Sequence, residues 1–295
     1  MTGILVKRDL RFVIIPKVVH PWFDEVNKGA IVQAELLEKQ LGIKITIEFL
    51  PPKTASISDQ DSILEKTVAT NPDGIAIDPL ENLLDMKAMA AVKNKGIPII
   101  VFDSPSPGAD IPSVGNNFAQ QAVIAAERLV GLIGKSGKVA VMQGFPSAPN
   151  HRERFEAHIS VLKKYPNITI VDGGIDNDDI ETAKQQAASV LESNPDLRGY
   201  LSCDASGPIG IAAAIKEAGK VGMVKFVGMD GIKPILEAIR EGVIESSAST
   251  IPRMQGSMSI LMLWQASLGV QIPQRIDTGI DVITQENVDS FLSSS

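Results

Sequence analysis

Cysteine is almost missing from this sequence. Cys203 is the only one in 295 residues, so no disulfide forms within the chain and no thiolate cluster can hold a metal ion. Histidine is nearly as scarce, at three residues. His151 and His158 stand seven apart, a spacing that aligns them on a helix but sets their backbones about 10 Å apart, too far for one metal ion. No apolar run reaches the 18 or so residues of a membrane-crossing helix. Basic residues are outnumbered 28 to 35, and the net charge of -7 repels polyanions and argues against a nucleic-acid partner. Catalytic signatures are absent too: there is no G-x-S-x-G, no H-E-x-x-H and no G-x-G-x-x-G. Gly134–Lys135–Ser136 looks like the end of a phosphate-binding loop, but Leu129 stands where the first glycine belongs and the segment precedes a strand, so a helix end and turn is expected. Asp176, Asp178 and Asp179 do not make a calcium loop, because Ile180 and Glu181 occupy the positions of a ligand and of the turn glycine. Asn177 or Asp178 is expected to be a helix N-cap instead. Nothing calls for a cofactor or an enzyme.

What is present is an alternation. Short apolar runs rich in Val and Ile mark strands at Phe12–Pro16, Ile43–Phe49, Gly74–Ile77, Ile97–Phe102, Val139–Met142, Ile168–Val171, Gly199–Cys203 and Lys225–Val227. Helical stripes lie between them, among them Val26, Ala30, Ala34, Leu37 and Leu41, and again Leu80, Leu84, Ala88 and Ala91. Gly42, Gly96 and Gly219 each follow such a pattern, where a helix needs a left-handed terminal residue. Strands apolar on both faces belong to parallel sheets covered by helices on both sides. The fold class expected is therefore α/β, with two doubly wound parallel-sheet lobes.

The length suits two domains. A Pro- and Ser-rich loop, Asp103–Pro112, separates two blocks, and the tail carries one long helix pattern, Met254 to Leu268, and a short strand, Gly279–Ile283. The tail is too small for a domain and must return to the other two. The expected lobes are 1–114 with 251–279 and 115–250 with 280–295, joined by a three-crossing hinge with a ligand cleft between them. The opening, Met1 to Asp9, lacks the apolar length of a secretory leader, so either the protein stays inside the cell or its leader has been removed.

In open α/β sheets ligands bind beyond the carboxyl ends of strands. Trp22 and Phe23 follow the first strand in a chain with only 4% aromatics, and flat rings stack on sugar C–H faces or, alternatively, staple the following helix. Asp103 and Ser104 follow the fourth strand, Gln143 the fifth, Asp204 the seventh and Asp230 the eighth. Carboxylates there accept hydrogen bonds from paired hydroxyls, and Arg152 offers a five-donor guanidinium nearby. Arg154 reads as half of a surface ion pair.

Taken in order, Pro21–Trp22–Phe23, the Asp103 that ends IPIIVFD, Arg152–Glu153–Arg154, VGMDG at Val227–Gly231 and the turn Ser249–Pro252 resemble the ribose-binding branch of periplasmic sugar-binding proteins, over nearly the whole chain. The resemblance implies a monomeric, periplasmic binding protein without cofactor, which holds a carbohydrate between two lobes and delivers it to an ABC transporter permease. It also implies ligand contacts at His20, Trp22, Phe23, Asp103, Arg152 and Asp230, with Asn116 or Asn117 near the first crossing between the lobes. Ser104 replaces an arginine of the family, Asp204 an asparagine, Asn177 an aromatic and Thr250 a glutamine. Losing a ring and a cation while gaining a carboxylate points to a neutral, hydroxyl-rich ligand: a sugar alcohol or a less common pentose. Ile15–Pro16–Lys17 also resembles relatives that bind a furanosyl quorum signal through the lysine, which keeps Lys17 a candidate and that signal an alternative ligand. A sugar-responsive regulator core is a further alternative.

Overall fold

The computed structural model describes residues 8–293, and most of the opening segment weighed as a leader lies outside them. The chain divides into two compact units. One comprises the residues up to Asn116 with Pro252–Thr278, the other Asn117–Ile251 with the residues from Gly279 onward.

Unit 1 holds β1 (Leu10–Ile15), α1 (Pro21–Leu41), β2 (Ile45–Phe49), α2 (Ile57–Ala69), β3 (Gly74–Ile77), α3 (Met89–Lys95), β4 (Ile99–Phe102) and β5 (Ser113–Gly115). Unit 2 continues with α4 (Phe118–Leu132), β6 (Gly137–Gln143), α5 (Pro149–Leu162), β7 (Ile168–Ile175), α6 (Ile180–Ser193), β8 (Leu197–Leu201), α7 (Ser206–Glu217), β9 (Lys225–Met229), α8 (Lys233–Arg240) and β10 (Ser246–Ser249). The chain then gives α9 (Pro252–Ser267) and β11 (Arg275–Asp277) to unit 1, and β12 (Asp281–Thr284) and α10 (Val288–Leu292) to unit 2. The sheet orders are β11-β5-β4-β3-β1-β2 and β12-β10-β9-β8-β6-β7. Every pairing is parallel except β10 with β12.

The apolar runs form the centres of these sheets because helices cover both faces. Val13, Ile15, Ile75, Ile77 and Val101 share one core with Leu64, Val68 and Val92 from α2 and α3. Unit 2 repeats the arrangement with Val139, Val141, Leu201, Val227 and Met229 against Ala122, Ala126, Leu129 and Val130 of α4. Helix α1 shows how local chemistry fixes an end. His20 caps it in extended conformation, its Nδ1 accepting from the Trp22 amide, Pro21 supplies a preset φ at the first turn, and Gly42 closes the far end at φ 68°.

Three expectations need correction. The stripe from Leu80 to Ala91 is not one helix, since only a 3-10 turn, Leu83–Asp85, and the short α3 form there. The Ser106 Oγ–Leu83 amide bond and the Asp61 carboxylate on the Ala88 amide hold the backbone in a loop instead. The cap of α6 is Asp179, not Asn177 or Asp178; its Oδ1 accepts from the Thr182 amide at 2.7 Å, while Asn177 and Asp178 both take positive φ in the turn before it. Finally, β5, β10 and β11 lie outside the strands expected from the sequence; β10 pairs with β9, and β5 and β11 pair with each other from Ser113 against Arg275.

Helices α1 and α9 approach closely enough for backbone to touch backbone. A Cβ on Gly29 would collide with the Arg253 carbonyl oxygen, and one on Gly256 with the Val26 carbonyl oxygen. Glycine here is required by proximity, not by a turn.

Candidate functional site

In unit 1 the candidate residues gather at the carboxyl ends of β1, β3 and β4, three neighbours in the middle of the sheet. Lys17, two residues past β1, is buried with its Nζ 3.4 Å from Asp78 Oδ2 and 3.6 Å from Asp103 Oδ2. Asp78 directly follows β3 and also accepts the Ser104 amide on Oδ1 at 3.0 Å, so one carboxylate orients both the lysine and the turn that carries Asp103 and Ser104. That turn is left-handed, with Asp103 at φ 53°. Gln60 of α2 holds the loops from behind: its amide nitrogen donates to the carbonyls of Pro16 and Asp78, and its oxygen accepts the Leu80 amide.

Trp22 and Phe23 stand edge to face with centroids 5.1 Å apart, and Phe23 meets Phe102 of β4 in the same way at 6.3 Å. Both side chains are 4% exposed. Phe23 thus ties α1 to the strand preceding Asp103. Asn116 stands where the chain leaves unit 1, and its Oδ1 accepts from Gln255 of α9 at 2.9 Å and from the Thr278 hydroxyl at 3.3 Å.

In unit 2 the candidates follow β7, β8, β9 and β10. Asp230, after β9, has φ 64° and accepts on Oδ1 from the Thr250 hydroxyl and the Thr250 amide, so the ends of β9 and β10 are locked together. Asp204, after β8, accepts the Gly207 amide at 2.9 Å, and Asp176, after β7, accepts the Asp178 amide at 2.9 Å. Asp176 and Asp204 adjoin: their oxygens and the Ser202 Cβ converge on the one spot that a Gly207 side chain would fill. Arg152 and Asn177 are exposed.

Arg154, expected at the surface, is 2% exposed, and no carboxylate lies within ion-pair distance of it among the described residues. Its Nε donates to Gln121 Oε1 at 2.8 Å, its Nη1 donates to the Cys203 carbonyl at 3.2 Å, and its guanidinium lies 4.6 Å from the centre of the Phe118 ring. The α4 face supplies two of these three partners, Gln121 and Phe118, which is why the sequence of the helix that carries Arg154 could not place it. Asp78, outside the candidates expected from the sequence, follows an apolar strand just as Asp103 does. Among the described residues, no group of three His, Cys, Asp or Glu could hold a metal ion, and no helix is long and apolar enough to cross a membrane.

Burial raises the Asp78 carboxyl to about 7; Lys17 opposes that shift and Asp103 adds to it. Burial and then the Asp178 charge raise Asp204, also to about 7, and burial with the adjoining Asp204 lifts Asp176 well above the ordinary range. Burial lowers His158 to about 4. A raised carboxyl binds its proton more tightly in the folded chain, so the stability it contributes is full at acid pH and is lost as pH rises through about 7. His158 acts in the opposite sense but only below about 6.5, where the unfolded imidazole takes a proton. Between pH 6.5 and 8 the carboxyls act without that opposition. Calorimetry should therefore find the apo protein about 1 kcal/mol less stable at pH 8 than at pH 6.5. The pair Asp78→Asn and Asp204→Asn should flatten that slope, and an unchanged slope in the double variant would remove these groups as its cause.

Two covered parallel sheets, each with polar side chains gathered at the carboxyl ends of its central strands, define a two-lobed α/β periplasmic binding protein fold. The profile of the periplasmic binding protein domain matches residues 12–270, and the chain belongs to that family. It is 24% identical over 265 residues to the D-allose-binding periplasmic protein of Escherichia coli, covering 86% of this chain and 83% of that protein. It is 24% identical over 232 residues to a D-apiose import binding protein of Actinobacillus succinogenes, covering 78% and 72%. The crystal structure of an ABC transporter solute-binding protein from Burkholderia graminis in complex with D-arabinose superposes with a TM-score of 0.89 at 27% identity, over 96% of this chain and 98% of that one. Relatives of this kind are transport proteins, not enzymes.

Proposed function

We propose that this chain is the periplasmic solute-binding component of a carbohydrate ABC importer and that it takes a small neutral sugar or sugar alcohol. The observation that carries the reading is the set of acceptors at the strand ends, Asp103 in unit 1 and Asp204 and Asp230 in unit 2, each fixed by neighbours before a ligand arrives. Carboxylates at such positions accept hydrogen bonds from adjacent hydroxyls and repel sugar acids and sugar phosphates. Lys17 does not offset that preference, because it already faces two carboxylates. The same engagement weighs against the furanosyl quorum signal as ligand. The names of the relatives, which bind allose, apiose and arabinose, support a pentose or hexose of uncommon configuration.

In this reading the sugar is gripped by Asp103, His20, Trp22 and Phe23 from one lobe and by Asp204, Asp230, Thr250 and Arg152 from the other. Contacts available only when both lobes engage give the closed form its differential affinity, and sugar populates it. The closed pair of lobes is then what a permease recognises. Isothermal titration with neutral pentoses, hexoses and polyols tests the reading, and at least one is expected to bind with one site per chain.

A further inference from the structure

Asp176 directly follows β7 and Asp204 stands three residues past β8, and the two are 0% and 1% exposed. Their carboxyls lie within hydrogen-bonding reach of each other. On each, Oδ1 accepts a backbone amide, from Asp178 on one and from Gly207 on the other, while Oδ2 is buried and meets no donor. The hydroxyls of Ser202 and Ser206, close to Asp204 in the chain, are buried without a partner as well. No lysine, arginine or histidine comes within ion-pair distance of Asp176, Asp178 or Asp204 among the described residues. Two carboxylates buried side by side without a cation do not both stay ionised, and a proton between them turns one into a donor that satisfies the other.

We propose that Asp204 meets the ligand as a carboxylic acid, its proton held in common with Asp176, and so donates a hydrogen bond to a sugar oxygen in addition to accepting one. This inference deepens the sugar-binding reading and rests on it. A hydroxyl that donates to a carboxylate still has lone pairs to satisfy, and a wall of carboxylates supplies no donor for them. Asp103 faces the Lys17 ammonium and Asp230 takes the Thr250 hydroxyl, whereas the partners of Asp204 among the described residues are the Gly207 amide and the acids Asp176 and Asp178. Burial first, and then the neighbouring acids, holds Asp176 well above the carboxylate range and Asp204 at about 7. The other groups around the pair leave the proton in place. Asp178 shares the turn, and Asp179 is exposed at the start of α6. Tyr200 of β8 and Cys203 just past it stay protonated because burial pushes both up. From α5, His158 bonds the Ser202 carbonyl and, lowered to about 4, is neutral, while Arg154 is engaged by the Cys203 carbonyl. Helix α7 brings Ser206 and Gly207 to the pair.

A site that needs this proton binds fully below about pH 7 and weakens as pH rises through that value. The test is titration of the wild type and of Asp204→Asn with D-allose, D-apiose, D-arabinose, D-ribose and xylitol at about pH 6 and about pH 8.5, with circular dichroism confirming that each protein is folded. The asparagine amide is a donor at every pH, so the ratio of wild-type Kd to variant Kd for the tightest sugar should rise by about tenfold or more over that range. Groups of unit 1 that titrate in the same range, Asp78 among them, cancel in the ratio. Infrared spectra at about pH 8 without sugar give a second readout that needs no ligand. Asp78 and Asp204 are then largely ionised, so the carboxylic acid carbonyl band expected of the wild type belongs to Asp176, and Asp176→Asn should lack it. A constant ratio, a wild type without the acid band, or a band that survives in Asp176→Asn would overturn the inference and leave the sugar-binding reading standing. A wild type that binds none of the five sugars would overturn both.

Discussion

Asp230→Asn is expected to weaken sugar binding by roughly 30- to 1000-fold, equivalent to about 2–4 kcal/mol for the loss of one or two charge-assisted hydrogen bonds. Asparagine is chosen over alanine for a structural reason. Asp230 sits at φ 64°, a left-handed conformation that asparagine tolerates and in which alanine is strained by about 1–2 kcal/mol. The same holds for Asp103 at φ 53°. Alanine at either position would lower stability and affinity together and blur the result. With asparagine, the Thr250 hydroxyl keeps an acceptor if the amide oxygen takes the place of Oδ1. The amide nitrogen then presents a donor where a carboxylate oxygen stood, and a sugar hydroxyl that donated there has lost its acceptor. The melting temperature without sugar should move by only a few degrees, since the local hydrogen bonding survives. Wild-type affinity in a folded Asp230→Asn variant would remove this residue from the site.

Gly256→Ala is expected to lower stability by about 3 kcal/mol, a fall in melting temperature of roughly 6–12 °C for a chain of this size. The expectation runs against helix propensity, which favours alanine over glycine by about 1 kcal/mol in a helix interior. Here the added methyl meets the Val26 carbonyl oxygen and lies 3.0 Å from the Ala30 amide nitrogen, both backbone atoms of α1 that no rotamer change can move. The helices must part, and the reciprocal contact of Gly29 with the Arg253 backbone parts with them. Gly131 of α4 supplies the control. Nothing lies within 4 Å of its Cβ position, so Gly131→Ala should be neutral or stabilising. A Gly256→Ala protein that melts with or above the wild type would mean that α1 and α9 do not pack this closely in solution.

The central strands were legible because burial on both faces leaves an uninterrupted apolar run, as in Gly74–Ile77 and Ile99–Phe102. Helix ends were legible where a residue type answers a backbone demand, as Gly42 and Gly96 do. Where pairing is long-range the sequence is mute. β5 and β11 are three residues each; β5 is a strand through its pairing with β4 and β11, and β11 only because Arg275 meets Ser113 across more than 150 positions of chain. The site follows the same division. Asp103, Asp204 and Asp230 announce themselves by standing directly after apolar strands. Arg154 does not, because its burial comes from Phe118 and Gln121 on another helix, and no local pattern in HRERF separates a buried arginine from an exposed one. The burial of Lys17 was equally out of reach, since it depends on Asp78 and Asp103 arriving from two other strands.

The account rests on the claim that the strand-end carboxylates receive a neutral, hydroxyl-rich ligand. Isothermal titration of the wild type with D-allose, D-apiose, D-arabinose, D-ribose and xylitol, set against the corresponding sugar acids and phosphates, tests it most directly. Saturable one-to-one binding of at least one neutral compound, with no heat from its charged counterparts, is the result predicted here. Binding confined to a sugar acid or a phosphate, or no binding across the neutral series by protein freed of any ligand through unfolding and refolding, would contradict it.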